Sequence, residues 1–174
     1  PNTVAGAVAA AAELGVWMVN VHAGGGRSML AAARRGATDG AARAGHPAPL
    51  VIGVTVLTSL TSGDLEDVGV ARSPADQVVR LAELCQEVEL DGVVASPLEV
   101  EAIRHAVGQN FVVVTPGIRG GTATSGPDDQ ARTATPAGAM RAGSSYLVVG
   151  RPITAAADPR RAAEAIAAEC RPLQ

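Results

Sequence analysis

The chain has 174 residues and a mass of 17.4 kDa, one domain by length and enough to bury a real core. With 47% hydrophobic and 18% charged residues it is not disordered, and its 20 glycines and 11 prolines show no fixed period that would indicate collagen or a repeat array. A net charge of −3 gives no basic excess for nucleic acid or an anionic membrane, and 2% aromatics are too few for a base-stacking surface.

Pro1 to Leu14 is Ala-rich with Pro at its start, which predicts a helix that stops at Gly15. Val16 to His22 is a short β-rich run ending in the turn Gly24-Gly25-Gly26, and Arg27 to Arg43 reads as the second helix. After the loop begun by His46-Pro47, Leu50 to Leu57 is a nearly continuous apolar run, the pattern of a strand covered on both faces. Ser73 is a plausible N-cap for an amphipathic helix from Pro74 to Val88. Then follow a strand at Gly92 to Ala95, a helix at Pro97 to Val107 and a strand at Phe111 to Thr115. A Gly-rich loop spans Gly117 to Asp129, ahead of a short helix from Pro136 to Arg141. The last strand is Tyr146 to Val149 and the last helix Pro159 to Glu169.

The order is therefore five strands, each expected to be buried and each followed by a helix, which is parallel α/β architecture. An open doubly wound sheet and part of a (β/α)8 barrel both fit. The open sheet would usually carry a nucleotide loop after its first strand. Gly24-Gly25-Gly26-Arg27 is not GxGxxG, and a P-loop needs a Lys that this chain does not contain. All fourteen cationic side chains are Arg, so no chemistry requiring a side-chain amine can be done by these residues. Polar residues gather instead where several strands end: Asn20 and His22, Thr55 and Thr58, Ser96, Thr115 and Arg119, Gly150 and Arg151. That distribution is the habit of a barrel.

Other features read more plainly. Cys85 and Cys170 lie far apart without CxxC spacing, as structural thiols of a reducing compartment. His46 and His105 have no metal spacing to one another or to carboxylates. The apolar stretch Val4 to Val21 is interrupted by Glu13, Asn20 and glycines, so no membrane span is expected. No basic segment precedes an apolar one as in a signal peptide, and the expected location is cytoplasmic.

The motifs narrow the field. PNT at residues 1–3, GVWMVNVHAGGG at 15–26, VTVLTS at 54–59 and LDGVVAS at 90–96 are followed by VTPGIR at 114–119, DQAR at 129–132, TPAGAMRAG at 135–143 and VVGRPIT at 148–154. In this order and over essentially the whole chain, they resemble the bacterial orotidine 5'-monophosphate decarboxylase family. The resemblance implies one partial TIM (β/α)8 barrel domain over residues 1–174, holding about five βα units. It also implies a carboxy-lyase that converts orotidine monophosphate to UMP in pyrimidine biosynthesis, with no metal or organic cofactor, working as a homodimer.

In the family PNT closes a longer motif, D-x-K-x-x-D-I-P-N-T, whose Lys protonates the carbanion left when CO2 departs. That Lys and its carboxylates, with the first three βα units, are expected upstream of Pro1, so no catalytic residue is assigned within the chain and the printed chain alone is expected to be inactive. The substrate-binding positions implied by the resemblance are Thr3, Thr58, Ser96, Arg119, Gln130, Gly150 and Arg151. Arg151, just after the last strand, matches the phosphate-binding Arg, and a planar cation beside free backbone N–H groups suits a phosphodianion. Gln130 matches a loop Gln reaching over phosphate and base, although Gly126-Pro127-Asp128-Asp129-Gln130 is slightly longer than the family's Gly-Asp-Gln. Arg119 and Thr58 match ligand-contacting positions. Ser96 would bond the pyrimidine amide or cap the helix after it, and Thr3 would reach the neighbouring subunit's ribose. His22 matches a family His that moves no proton and reads as structural. Two alternatives stay open: a non-catalytic, truncated or degenerate barrel that binds a phosphate or nucleotide, and another phosphate-binding decarboxylase or synthase of the superfamily.

Overall fold

The computed structural model describes residues 1–119 and 134–171. Strands β1 (Met18–His22), β2 (Leu50–Val54), β3 (Gly92–Val94), β4 (Val112–Thr115) and β5 (Tyr146–Leu147) form one sheet in the order β1-β2-β3-β4-β5. Every neighbouring pair is parallel, and no reversal of order marks a switch point. The helices are α1 (Asn2–Glu13), α2 (Gly26–Ala44), α3 (Ser62–Asp67), α4 (Pro74–Glu87), α5 (Val100–Val107), α6 (Pro136–Ala142), α7 (Arg151–Thr154) and α8 (Pro159–Glu169).

The sheet is curled. Four strand spacings of about 4.8 Å would hold the first and last strands of a flat sheet about 19 Å apart. Here the rings of Trp17, just before β1, and Tyr146, opening β5, meet edge-on with centroids 5.3 Å apart. Consecutive parallel strands curved in this way form the arc of a barrel, as the distribution of polar residues implied.

The core lies between the sheet and the helices. Val51, Val93 and Val113 point from successive strands into a cluster with Leu30 and Ala33 of α2, Val78 and Cys85 of α4, and Ile103 of α5. Gly53 shares their face, and a Cβ built on it would stand 2.3 Å from the Cys85 sulfur, so glycine lets α4 approach the sheet. Burial pushes the Cys85 thiol up to about 12, which makes it an inert packing group. Phe111 is the buried aromatic, 7% exposed, in an otherwise aliphatic core. Helices α1 and α2 pack backbone to backbone: a Cβ at Gly36 would lie 2.4 Å from the Ala5 carbonyl oxygen and one at Gly40 2.3 Å from that of Ala9.

Several boundaries differ from the sequence reading. β2 stops at Val54; Thr55 still follows the ladder, its N–H and hydroxyl both donating to the Val94 carbonyl, but Val56 and Leu57 leave it to wall a cavity. α5 starts at Val100 rather than Pro97, because Ser96 to Glu99 form a turn in which the Glu99 N–H donates to the Ser96 carbonyl. Two short helices were not anticipated. α3 is held by a reciprocal cap between Thr61 and Asp64, and α7 is a single turn after Gly150. The expectation that every strand is buried fails at both edges, at β5, where Tyr146 is 44% exposed, and at β1, where Asn20 and His22 are exposed, since among the described residues each pairs with one strand only.

Candidate functional site

Parallel strands followed by helices bring all their carboxyl ends to one side, so the loops after β1 to β5 share a face. On that face Val54 of β2 and Val56, Leu57, Thr58 and Ser59 after it enclose a cavity with Val94 of β3, Ala95 and Ser96 after it, and Pro116 from the segment after β4. Its volume is about 250 Å³. Thr58 and Ser96, far apart in sequence, thus line one space.

Ser96 is fully buried, and its hydroxyl accepts from the Leu98 N–H at 3.2 Å. The hydroxyl therefore braces the turn before α5 rather than capping the helix itself, whose N-cap is Glu99. Its proton remains available to donate, since the bond to Leu98 uses only oxygen lone pairs. Glu99, 5% exposed, is a buried acid beside this turn that sequence reasoning did not single out. A Glu in a helical run looks like any solvated acid, and only the path of the chain after Ser96 takes it inside.

Arg119 stands where the loop after β4 opens. Its N–H donates to the Ala134 carbonyl at 2.8 Å, and the Ala134 N–H returns to the Gly117 carbonyl at 3.2 Å. This bridge between Ile118 and Ala134 anchors the backbone of Arg119. Gln130, Asp128 and Asp129 lie outside the described residues. Gly150 and Arg151 follow β5 at the same end of the sheet: Gly150 is the N-cap of α7, and the Ile153 and Thr154 N–H groups donate to its carbonyl. Both residues are exposed. Thr3 is exposed in the first turn of α1, and His22 is exposed at the carboxyl end of β1.

Two other strand-end hydroxyls belong to the scaffold. Thr115 is fully buried, and its hydroxyl pairs with that of Ser144 at 2.7 Å. Thr55 bonds across to β3 at 2.8 Å. Asp91, within the LDGVVAS motif, sits at the opposite, amino end of the sheet. One of its oxygens accepts from the Val51 N–H and from Arg34, each at 2.7 Å, so it sets the register of β2 against β3. Among the described residues no group of three His, Cys, Asp or Glu could hold a metal ion, and no helix is long and apolar enough to cross a membrane.

Comparison with known proteins agrees with this arrangement. The family model described as orotidine 5'-phosphate decarboxylase / HUMPS family matches residues 1–166. The orotidine 5'-phosphate decarboxylase of Moorella thermoacetica is 57% identical over 170 residues, covering 97% of this chain and 67% of that protein. That of Chromobacterium violaceum is 54% identical over 166 residues, covering 95% of this chain and 64% of the relative. The crystal structure of orotidine 5'-phosphate decarboxylase from Lactobacillus acidophilus superposes with a TM-score of 0.84 at 41% identity, over 98% of this chain and 70% of that one. The chain thus spans about two thirds of the length of the curated relatives it matches.

Proposed function

The chain belongs to the orotidine 5'-phosphate decarboxylase / HUMPS family over residues 1–166, and from that premise we propose that it is the substrate-holding part of an orotidine 5'-phosphate decarboxylase. The observation that carries this reading is the cavity at the carboxyl ends of β2 and β3, lined by Thr58 and Ser96, the positions matching substrate contacts. Ser96 meets the pyrimidine amide. Arg119 and Gln130 reach the ligand from the loop after β4. Arg151, with the backbone at Gly150, binds the phosphate dianion through charge-assisted hydrogen bonds. Thr3, exposed on the first turn of α1, serves the ribose site of a second copy in a homodimer. Such a pyrimidine nucleotide enzyme works in the cytoplasm.

The chemical step needs more than these residues. Breaking the C–C bond to the carboxylate releases CO2 and leaves an electron pair on the pyrimidine carbon, which a placed acid must protonate. The chain contains no Lys. Arg, whose guanidinium holds its proton at every physiological pH, is a reluctant proton donor. His22 sits on β1, the strand beside the one that carries the acid in the family. These 174 residues therefore bind UMP and do not by themselves turn over orotidine monophosphate at an enzymatic rate. The second reading is a non-catalytic barrel that binds a phosphate or nucleotide.

A decarboxylation assay separates the two. The mass-verified chain should show no turnover alone. Supplying an N-terminal segment that ends in D-x-K-x-x-D-I should restore it, and the Lys→Ala form of that segment should not. Turnover by the unsupplemented chain would show that the acid has been assigned to the wrong group, and failure of the Lys-bearing segment to restore activity would favour the binding barrel.

A further inference from the structure

β5 is the least secured strand of the sheet and the one that leads to Gly150 and Arg151. Its ladder to β4 comprises Val114↔Tyr146 and Thr115↔Leu147, extended by the Val148 N–H donating to the Thr115 carbonyl at 2.9 Å. Among the described residues its other edge has no strand partner. So short a ladder holds a strand's register weakly. Something else must set where β5 lies.

At the amino end of β5 a buried guanidinium does this. Arg104 of α5 is 8% exposed. Its Nε donates to the Gly143 carbonyl at 2.8 Å, Nη2 reaches that same carbonyl and the Ser145 hydroxyl, the latter at 3.0 Å, and Nη1 donates to the carbonyls of Gly108 and Gln109, each at 3.2 Å, and of Phe111. All these partners are neutral oxygens, and they belong to the two segments that enter β4 and β5. Ser145 completes the joint: its hydroxyl also accepts from the Val113 N–H at 3.1 Å, while its own N–H donates to the Val113 carbonyl at 2.8 Å. The fit is tight. Gly143 has φ +106°, and a Cβ there would lie 3.1 Å from Arg104 Nε.

We propose that Arg104 is a positioning residue for phosphate recognition: by clamping Gly143 and Ser145 to the entrance of β4, it fixes where β5 runs and hence where Gly150 and Arg151 meet the phosphate. The inference rests on the phosphate reading of Gly150 and Arg151 given above. A Lys keeps the charge but cannot serve acceptors spread around a planar fork, so Arg104→Lys isolates the geometry.

The experiment is calorimetric titration of the full chain with UMP and with uridine, whose affinity ratio measures the phosphate contribution alone. That ratio should be about 10–100 for the parent chain. In Arg104→Lys it should fall about tenfold with uridine affinity unchanged, the scale expected of a displaced binding group. A smaller folded fraction would weaken both ligands equally and leave the ratio intact. A parent-like ratio in Arg104→Lys, while Arg151→Ala abolishes it, overturns the positioning role. A parent-like ratio in Arg151→Ala overturns the phosphate reading and the inference with it. Should Arg104→Lys not fold, Ser145→Ala, which leaves the carbonyl partners of Arg104 in place, should still lower the ratio and speed amide exchange at Val148 relative to Val93. If neither changes, the inference fails.

Discussion

The two ends of the sheet are held by different physics. At the first, α2 buries Met29, Leu30, Ala32, Ala33, Gly36, Ala37, Gly40 and Ala41, and β1 pairs with β2 from Met18↔Leu50 to His22↔Val54. At the last, β5 has a two-pair ladder, α7 buries nothing, and Ile166 is the buried residue of α8 among those described. The first end is secured by apolar contact and by helices close enough for backbones to touch. The second depends on polar clamps, Arg104 on Gly143 and Ser145 and the Thr115–Ser144 hydroxyl pair. The difference suits the two tasks. Close packing is tolerant of nothing but gives stability, whereas the open end leaves Gly150 and Arg151 exposed, as the proposed phosphate contact requires.

The contrast makes its strongest prediction at the close-packed end. Gly40→Ala places a methyl against the Ala9 carbonyl, a backbone group that cannot step aside cheaply. It should cost about 2–3 kcal/mol in urea denaturation. A loss below about 0.5 kcal/mol, within the range of an ordinary surface change, would mean that α1 and α2 can part freely and would remove the contrast. At the open end, Arg151→Ala should weaken UMP binding by about 1.5–3 kcal/mol while leaving the denaturation midpoint nearly unchanged. Unchanged affinity on calorimetric titration would return Arg151 to the ordinary solvated surface.

Smaller effects sharpen the picture between the ends. Thr61 and Asp64 cap α3 reciprocally, so Thr61→Ala should destabilise this short helix by about 1 kcal/mol, seen as faster amide exchange in α3. The hydrogen bonds from Thr61 hold the Asp64 carboxyl below its usual value. Its contribution is accordingly present above the ordinary carboxylate pKa and fades as pH falls through the lowered folded value. The reverse dependence, α3 loosening as pH rises through that window, would contradict the cap. Smallest is Glu89, at φ 60° just past the C-cap of α4, where a side chain costs conformational energy. Glu89→Gly should raise stability by up to about 1 kcal/mol, and a decrease in melting temperature would show that the side chain contributes more than the strain removes.

By itself the sequence determined the alternation of strands and helices, because apolar runs such as Leu50 to Leu57 and caps such as Ser73 act locally. It also located the strand-end positions at Thr58, Ser96, Arg119 and Arg151, through motifs in a fixed order. Tertiary structure decided which of those residues share a space: Thr58 and Ser96 meet only because β2 and β3 are neighbours in a curled sheet. It decided that Thr115, polar and at the end of β4, turns away from the mouth toward Ser144, since successive side chains of a strand face opposite sides and register chooses between them. Arg104 was invisible as anything but a charge on a helix, because the carbonyls that hold it come from segments before two different strands, and a local pattern carries no information about acceptors that only folding assembles.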